Sequence, residues 1–211
     1  MGMLGDFSKR TFDVVASSLG LLFLSPAILL ITILVKLYSP GPVFYRGLRI
    51  GRQGVPFKVF KFRTMVANAE NIGRFSTSDD DPRITGIGRF LRKYKLDELP
   101  QLINVLKGEM SLVGPRPEVP HYVDMFTQEE KAILSVRPGI TDWASIWNAH
   151  EGKVLAEASA NGEDPEKHYA ESLRPHKIKL QLDYVKNSSF WVDMRILFET
   201  FKVLLNHTKE P

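Results

Sequence analysis

Two acids stand side by side at Asp97-Glu98, and further along a single arginine is held between two prolines at Pro115-Arg116-Pro117. Each motif has a plain use and a chemical one. Acids before a helix stabilise the positive end of its dipole. The same pair can serve as nucleophile and metal ligand, because Mg²⁺ takes one or two carboxylates together with substrate phosphates and an aspartate can itself form an acyl phosphate. Arg116 is either a surface arginine in a proline loop or a rigidly presented fork for phosphate oxygens. Lys61, Arg63, Arg89 and Arg92 would complete an anion pocket, or are simply solvated charge.

Charge placement supports an anionic partner without choosing it. Between Pro42 and Thr64 lie Arg46, Arg49, Arg52, Lys58, Lys61 and Arg63 with no acid among them, in a chain of net charge +4. Nucleic acid, lipid headgroups and phosphorylated substrates all fit that balance. The absence of cysteine excludes disulfides, thiolate catalysis and Cys-ligated zinc. His121, His150, His168, His176 and His207 are scattered without ligand spacing, which disfavours a histidine metal site. Asp79-Asp80-Asp81-Pro82 lacks the alternation and glycine of a calcium loop and reads as a turn within 76–82. The Gly51-Arg52-Gln53-Gly54 turn is too short to cradle phosphate.

The elements that must position these residues follow from periodicity. Leu99, Leu102, Ile103 and Leu106 have the spacing of an amphipathic helix, with Pro100 suited to its first position and Gly108 to its end. Asp97 and Glu98 then sit at its N-terminus. Val43–Ile50 and Val55–Phe62 predict a β-hairpin around the GRQG turn, with Lys61 and Arg63 on one face. Ala67–Glu70 begins a short polar helix or loop, and 111–120 is too proline-rich to be regular. Helices are expected over His121–Val136 and, charged and solvent-facing, over Glu163–Lys186 with an interruption near Pro175. Phe190, Met194, Leu197, Phe198, Phe201, Leu204 and Leu205 predict a final helix packed in a core or lying in a membrane interface.

Val14–Leu34 is an uncharged apolar run, long enough as a straight helix to reach across about 30 Å of hydrocarbon. A signal peptide is disfavoured by Asp6 and Asp13 and by the lack of a small-residue cleavage site; a buried core helix is the remaining soluble alternative. Ser25-Pro26 interrupts the run, which predicts a kink with the Ser25 hydroxyl on a freed carbonyl. Lys9 and Arg10 precede the run, and Lys36, Arg46, Arg49 and Arg52 follow it. Both flanks therefore qualify for the cytoplasmic side. A bent hairpin entering and leaving by one face satisfies this; a kinked span is the alternative.

LDELPQLINVLKGEMSLVGPRPE, with KVFKFRTM, DPRITGIGRFLRK, VRPGIT and YVKNSSFWVDMRILFET, resembles the bacterial sugar transferase family, the monotopic phosphoglycosyl transferases. The likeness runs in order from Lys9 to Leu204, and the short length resembles the minimal members. It implies a re-entrant helix broken at Ser25-Pro26. It implies that Asp97 attacks the β-phosphate of a UDP-sugar, that Glu98 holds Mg²⁺, and that Pro115, Arg116 and Pro117 help bind phosphate, with Lys61, Arg63, Arg89, Arg92 and Arg137 as further phosphate or nucleotide contacts. Undecaprenyl phosphate would then take the phosphosugar from Asp97. UMP and a lipid-diphosphate sugar are the products, in the first membrane step of O-antigen, capsule, exopolysaccharide or glycoprotein glycan assembly. Many relatives continue from VRPGIT into a GxAQVNGR-like stretch; here Asp142 to His150 departs from it.

The resulting expectation is an α+β, mostly helical chain. Residues 1–39 form a re-entrant membrane anchor and residues 40–211 a compact catalytic domain on the cytoplasmic face of the bacterial inner membrane. A small β-hairpin and amphipathic interfacial helices belong to that domain. Its partners would be the UDP-sugar, undecaprenyl phosphate and membrane lipid, without nucleic acid; the sugar and the oligomeric state, a homodimer included, stay open. Two rivals make other predictions. A membrane-peripheral anion-binding module would not depend on Asp97 and would weaken steeply with salt. A glycosyltransferase moving the sugar alone would release a nucleoside diphosphate.

Overall fold

The structure, a computed structural model, describes residues 3–69 and 77–207. Glu70 and Ser76, at the edges of two expected loops, lie outside the described residues. The fold is mostly helical, with two-stranded sheets and one long apolar helix at its N-terminal end.

Helix α1 (Met3–Tyr38) carries Pro26 inside it. The break expected at Ser25-Pro26 does not interrupt the helix. Pro26 cannot donate to the Leu22 carbonyl four residues back, and the Ser25 hydroxyl donates to that oxygen instead at 2.8 Å. Both halves of α1 are seated on the same body. Near its start Arg10 donates to the Val105 and Leu106 carbonyls at 2.6 and 2.9 Å, and Asp13 accepts from the Leu112 amide at 3.0 Å. Near its end Ile31 and Val35 are buried with Phe62 and Leu91. Between those anchors Leu19, Leu22, Phe23, Leu29 and Leu30 are exposed.

The basic segment is a hairpin, as its alternation predicts. β1 (Phe44–Tyr45) and β2 (Leu48–Ile50) return as β3 (Pro56–Lys58) and β4 (Lys61–Phe62); β2 pairs antiparallel with β3 and β1 with β4. A discontinuity separates the two pairs, and a buried side chain closes it. Asn104 accepts from the Phe60 amide at 2.8 Å and donates to the Lys58 carbonyl at 3.0 Å and to Glu109 at 2.7 Å.

Asn104 belongs to the helix that follows the acidic pair. After α2 (Gly86–Lys93), capped by the Thr85 hydroxyl, Lys95 turns the chain with φ 54° into a 3₁₀ turn, Leu96–Glu98. That turn leads through Pro100 into α3 (Gln101–Lys107), which Gly108 ends with φ 81°. Pro100 has helical angles but precedes the first α3 residue, because the entry turn is already wound. β5 (Ser111–Val113) follows, then α4 (Pro120–Asp124), and β6 (Gly139–Thr141) pairs with β5 in parallel. Gly114 and Gly139 approach so closely that a Cβ on Gly114 would meet the Arg137 carbonyl and the Gly139 amide, and one on Gly139 the Gly114 backbone.

The helix expected over His121–Val136 is two short pieces, α4 and a 3₁₀ segment Glu130–Ser135. Thr127 and Glu130 are the reason: each side chain accepts from the other's amide, and this reciprocal box starts a fresh turn. The chain continues through α5 (Trp143–Trp147), α6 (Glu151–Ala160), α7 (Pro165–His168), a π turn at Tyr169–Leu173 and α8 (Arg174–Asn187). Pro175 falls in the first turn of α8, directly after the π turn. The expected solvent-facing character holds for one side only, since Tyr169, Leu173, Lys177, Gln181 and Tyr184 form a buried stripe. α9 (Phe190–His207) buries Asp193 and Ile196 and leaves Trp191, Phe198 and Phe201 exposed. Phe12 of α1 meets Phe190 edge-on at 5.9 Å, so the start of α9 adjoins α1.

Candidate active site

Four charged groups converge where the 3₁₀ turn, the hairpin and the loop after β5 meet. Glu98 Oε1 accepts from Lys61 Nζ at 2.7 Å and from Arg116 Nη2 at 2.5 Å, and Oε2 accepts from Arg116 Nη1 at 3.3 Å. Lys61 is on β4, whose register Asn104 fixes from within α3. The helix that starts beside Glu98 thus also holds the strand bearing its partner.

Arg116 is placed from behind. Its amide donates to Asp142 Oδ2 at 3.2 Å, and the same carboxylate caps α5 by accepting from the Ser145 amide at 2.6 Å. Gln181 of α8 donates to Asp142 at 3.3 Å. Asp142, fully buried, opens the divergent 142–150 segment, and its contacts fasten the Pro-Arg-Pro loop to β6 and α8.

Asp97 is different from its neighbour. It is 7% exposed, yet its carboxylate accepts no hydrogen bond from any described residue. Burial raises its pKa above the ordinary carboxylate value; Lys61 opposes that rise, Glu98 adds to it, and Arg92 and Lys95 pull it down. For Glu98 burial acts upward too, but Arg116 and then Lys61 hold its pKa well below the usual range. Two adjacent acids are therefore pushed apart: one clamped and firmly ionised, the other unpaired and less acidic. Such a separation is the usual sign of different roles.

The structure groups Asp97, Glu98, Lys61 and Arg116, with Arg92 near enough to act on Asp97. Pro115 and Pro117 flank Arg116; the Pro115 carbonyl accepts from the Gly139 amide at 2.9 Å. Other candidates sit elsewhere. Arg63 is buried with its guanidinium on the Ser39 carbonyl at 2.6 Å, at the end of α1. Arg137 donates to the Gly108 carbonyl at 3.0 Å, beside the end of α3. Arg89 is exposed on α2. Lys95 was not singled out in the sequence, nor were Asn104 and Asp142 as positioning groups. A polar Asn within an apolar helix was the available signal for Asn104, and an Asp before a short helix the one for Asp142.

Comparison with known proteins gives the family. The chain matches the bacterial sugar transferase family over residues 4–207. It belongs to that family. It is similar to the Aeromonas hydrophila UDP-N-acetylgalactosamine-undecaprenyl-phosphate N-acetylgalactosaminephosphotransferase, 38% identical over 94% of this chain and 44% of the relative. The Escherichia coli K12 UDP-glucose:undecaprenyl-phosphate glucose-1-phosphate transferase is 39% identical over 94% of this chain and 40% of its own length. The exopolysaccharide production protein ExoY of Sinorhizobium fredii is 36% identical over 93% of this chain and 85% of the relative. The chain thus spans less than half the length of the first two.

Magnesium coordination asks for one or two carboxylates plus phosphate oxygens and water. Asp97 offers unengaged oxygens, and Glu98 Oε2 carries only its 3.3 Å bond, so the donor set fits. Among the described residues no group of three or more His, Cys, Asp or Glu side chains could hold a metal, which leaves the remaining positions to substrate and solvent.

Proposed function

We propose that the chain transfers a sugar-1-phosphate from a UDP-sugar to undecaprenyl phosphate, releasing UMP, through a phosphosugar carried on Asp97. The observation that carries this reading is the unpaired, nearly buried carboxylate of Asp97 beside a Glu98 clamped by Lys61 and Arg116. A nucleophile must be free to approach phosphorus. The cations that steer a diphosphate must be held within reach but not spent on the nucleophile itself.

In the first step an Asp97 oxygen forms a bond to the β-phosphorus, and the bond from that phosphorus to the bridging oxygen breaks, with UMP leaving. In the second step a phosphate oxygen of undecaprenyl phosphate attacks the same phosphorus and Asp97 departs as carboxylate. The product is undecaprenyl diphosphate sugar. Splitting the reaction lets a soluble donor and a bilayer-bound acceptor use one site in turn. Arg116 and Lys61 supply positive charge to the phosphoryl oxygens; phosphoryl transfer needs mainly this and positioning. Glu98, with Asp97 beside it, would hold Mg²⁺, which when bound neutralises charge on the diphosphate.

The membrane role follows from α1 and α9. Both ends of α1 are fastened to the catalytic body while its middle exposes apolar side chains. We read this as a re-entrant anchor that leaves the body on the cytoplasmic face of the inner membrane, with the exposed aromatics of α9 at the interface. The relatives' names differ in the sugar, which a panel of donors would identify. The test is UMP release from a panel of UDP-sugars by the purified protein with undecaprenyl phosphate and Mg²⁺. Release of UDP instead would mean transfer of the sugar alone.

A further inference from the structure

Beside Arg116, on the side formed by α6 and α8, lies a polar network that the phosphate chemistry does not use. Lys177 is 6% exposed on α8 and donates to Glu151 Oε2 at 3.2 Å and to the Tyr169 hydroxyl at 2.9 Å. Asn148 donates to the same Glu151 oxygen at 2.5 Å. Tyr169 in turn reaches Glu118, two residues after Arg116, at 3.5 Å. A buried ammonium is costly unless paired, and here its pairing has a geometric result. Both bonds to Glu151 fall on Oε2, whereas Oε1 accepts from no described residue and the side chain remains 34% exposed. Glu151 also lies close enough to Arg116 to strengthen the guanidinium's hold on its proton, after Glu98.

We propose that Glu151, oriented by Lys177 and Asn148, is a donor-recognition residue whose free oxygen accepts hydrogen bonds from hydroxyl groups of the nucleotide sugar next to the phosphate held at Arg116. An ionised carboxylate is acceptor-only and takes two hydroxyl donors readily, and hydroxyls are what a nucleotide sugar offers on either side of its diphosphate. They come from the hexose or from the ribose. The inference rests on the donor reading above.

The test uses the whole chain with undecaprenyl phosphate and Mg²⁺, following UMP release. The donors are the best-used UDP-sugar, its singly deoxygenated hexose analogues and its 2′-deoxyuridine analogue. Glu151→Gln is diagnostic, because Lys177 and Asn148 would draw the amide carbonyl toward themselves and turn its NH₂ to the ligand, replacing an acceptor by a donor. A hydrogen bond to a charged group is worth enough that kcat/KM should fall by about tenfold or more. That loss should collapse for one analogue: a deoxyhexose donor places the contact on the sugar, the 2′-deoxyuridine donor on the ribose. Glu151→Ala should give the same pattern, and a melting curve like that of the wild type shows the fold intact. An equal loss with every donor, or no loss, overturns the inference while leaving the proposed reaction standing. If the wild-type chain releases UMP from no UDP-sugar, the reaction itself falls and this inference with it.

Discussion

Arg116 Nη2 stands 2.5 Å from Glu98 Oε1, and the second nitrogen of the same guanidinium faces the second oxygen at 3.3 Å. This two-point pairing needs a planar fork, which lysine lacks. Arg116→Lys should therefore behave as a damaging change despite conserving charge. The expected loss is about 10- to 100-fold in kcat/KM for the UDP-sugar, measured by UMP release. Wild-type kinetics would reduce Arg116 to a point charge.

Asp97→Asn should separate stability from activity. The ionised Asp97 is buried without a hydrogen-bond partner among the described residues, and burial raises its pKa, so its charge is costlier in the fold than in the unfolded chain. A neutral side chain of the same shape should stabilise the protein, so the melting temperature should rise. The same variant should show no turnover, and no labelling of the protein by donor carrying a radioactive sugar in the absence of lipid acceptor. A variant that still turned over would demote Asp97 to a base or metal ligand.

The pH profile offers a check on which acid attacks. Asp97 must be ionised to act as nucleophile, so the acid limb of kcat/KM should lie above the ordinary aspartate value of about 3.9. Lys61 pulls that pKa down and Glu98 pushes it up. Lys61→Met should then move the limb to higher pH, and Glu98→Gln, where activity remains measurable, to lower pH. Movement of both in one direction contradicts Asp97 as the titrating group.

Asn104→Ala should cost stability and activity together. It leaves the half-buried Phe60 amide without its partner, at about 1–3 kcal/mol, and the Lys58 carbonyl with only the 3.4 Å bond from Arg46. It also frees the strand that aims Lys61 at Glu98. Chemical denaturation should give a destabilisation of about 1–3 kcal/mol.

How much of this was legible in the sequence varies with the range of the interaction. The hairpin and the helix ended by Gly108 follow from local alternation and turn chemistry. So does the Ser25 hydroxyl on the Leu22 carbonyl, a contact within one turn. The His121–Val136 segment is predicted as one helix, and the Thr127–Glu130 box that divides it is a signal only four residues long. Nothing local distinguishes Arg63 from Lys61. Their different placement depends on the end of α1, where the Ser39 carbonyl captures Arg63. Asp142 holding Arg116 and Lys177 orienting Glu151 join residues far apart in the chain, and without the fold each reads as one more surface charge.

The topology of α1 yields the last prediction. Lys9 donates to the Val113 carbonyl at 2.9 Å and pairs with Asp193, so the start of the helix is fixed to the catalytic body. Val35, far along the same helix, is fully buried against that body. On the re-entrant reading proposed above, a helix held at both ends by one domain keeps both flanks on one side of the bilayer, since otherwise the domain would have to cross with it. The exposed Leu19–Leu30 stretch would dip into the hydrocarbon and return, with Ser25 satisfying the carbonyl that Pro26 leaves free. Single cysteines can be introduced at Ser8 and at Arg46 in this cysteine-free chain. In intact spheroplasts both should resist a membrane-impermeant maleimide, and both should react once the membrane is opened. Labelling of one site alone in intact cells would establish a true span and overturn the re-entrant anchor.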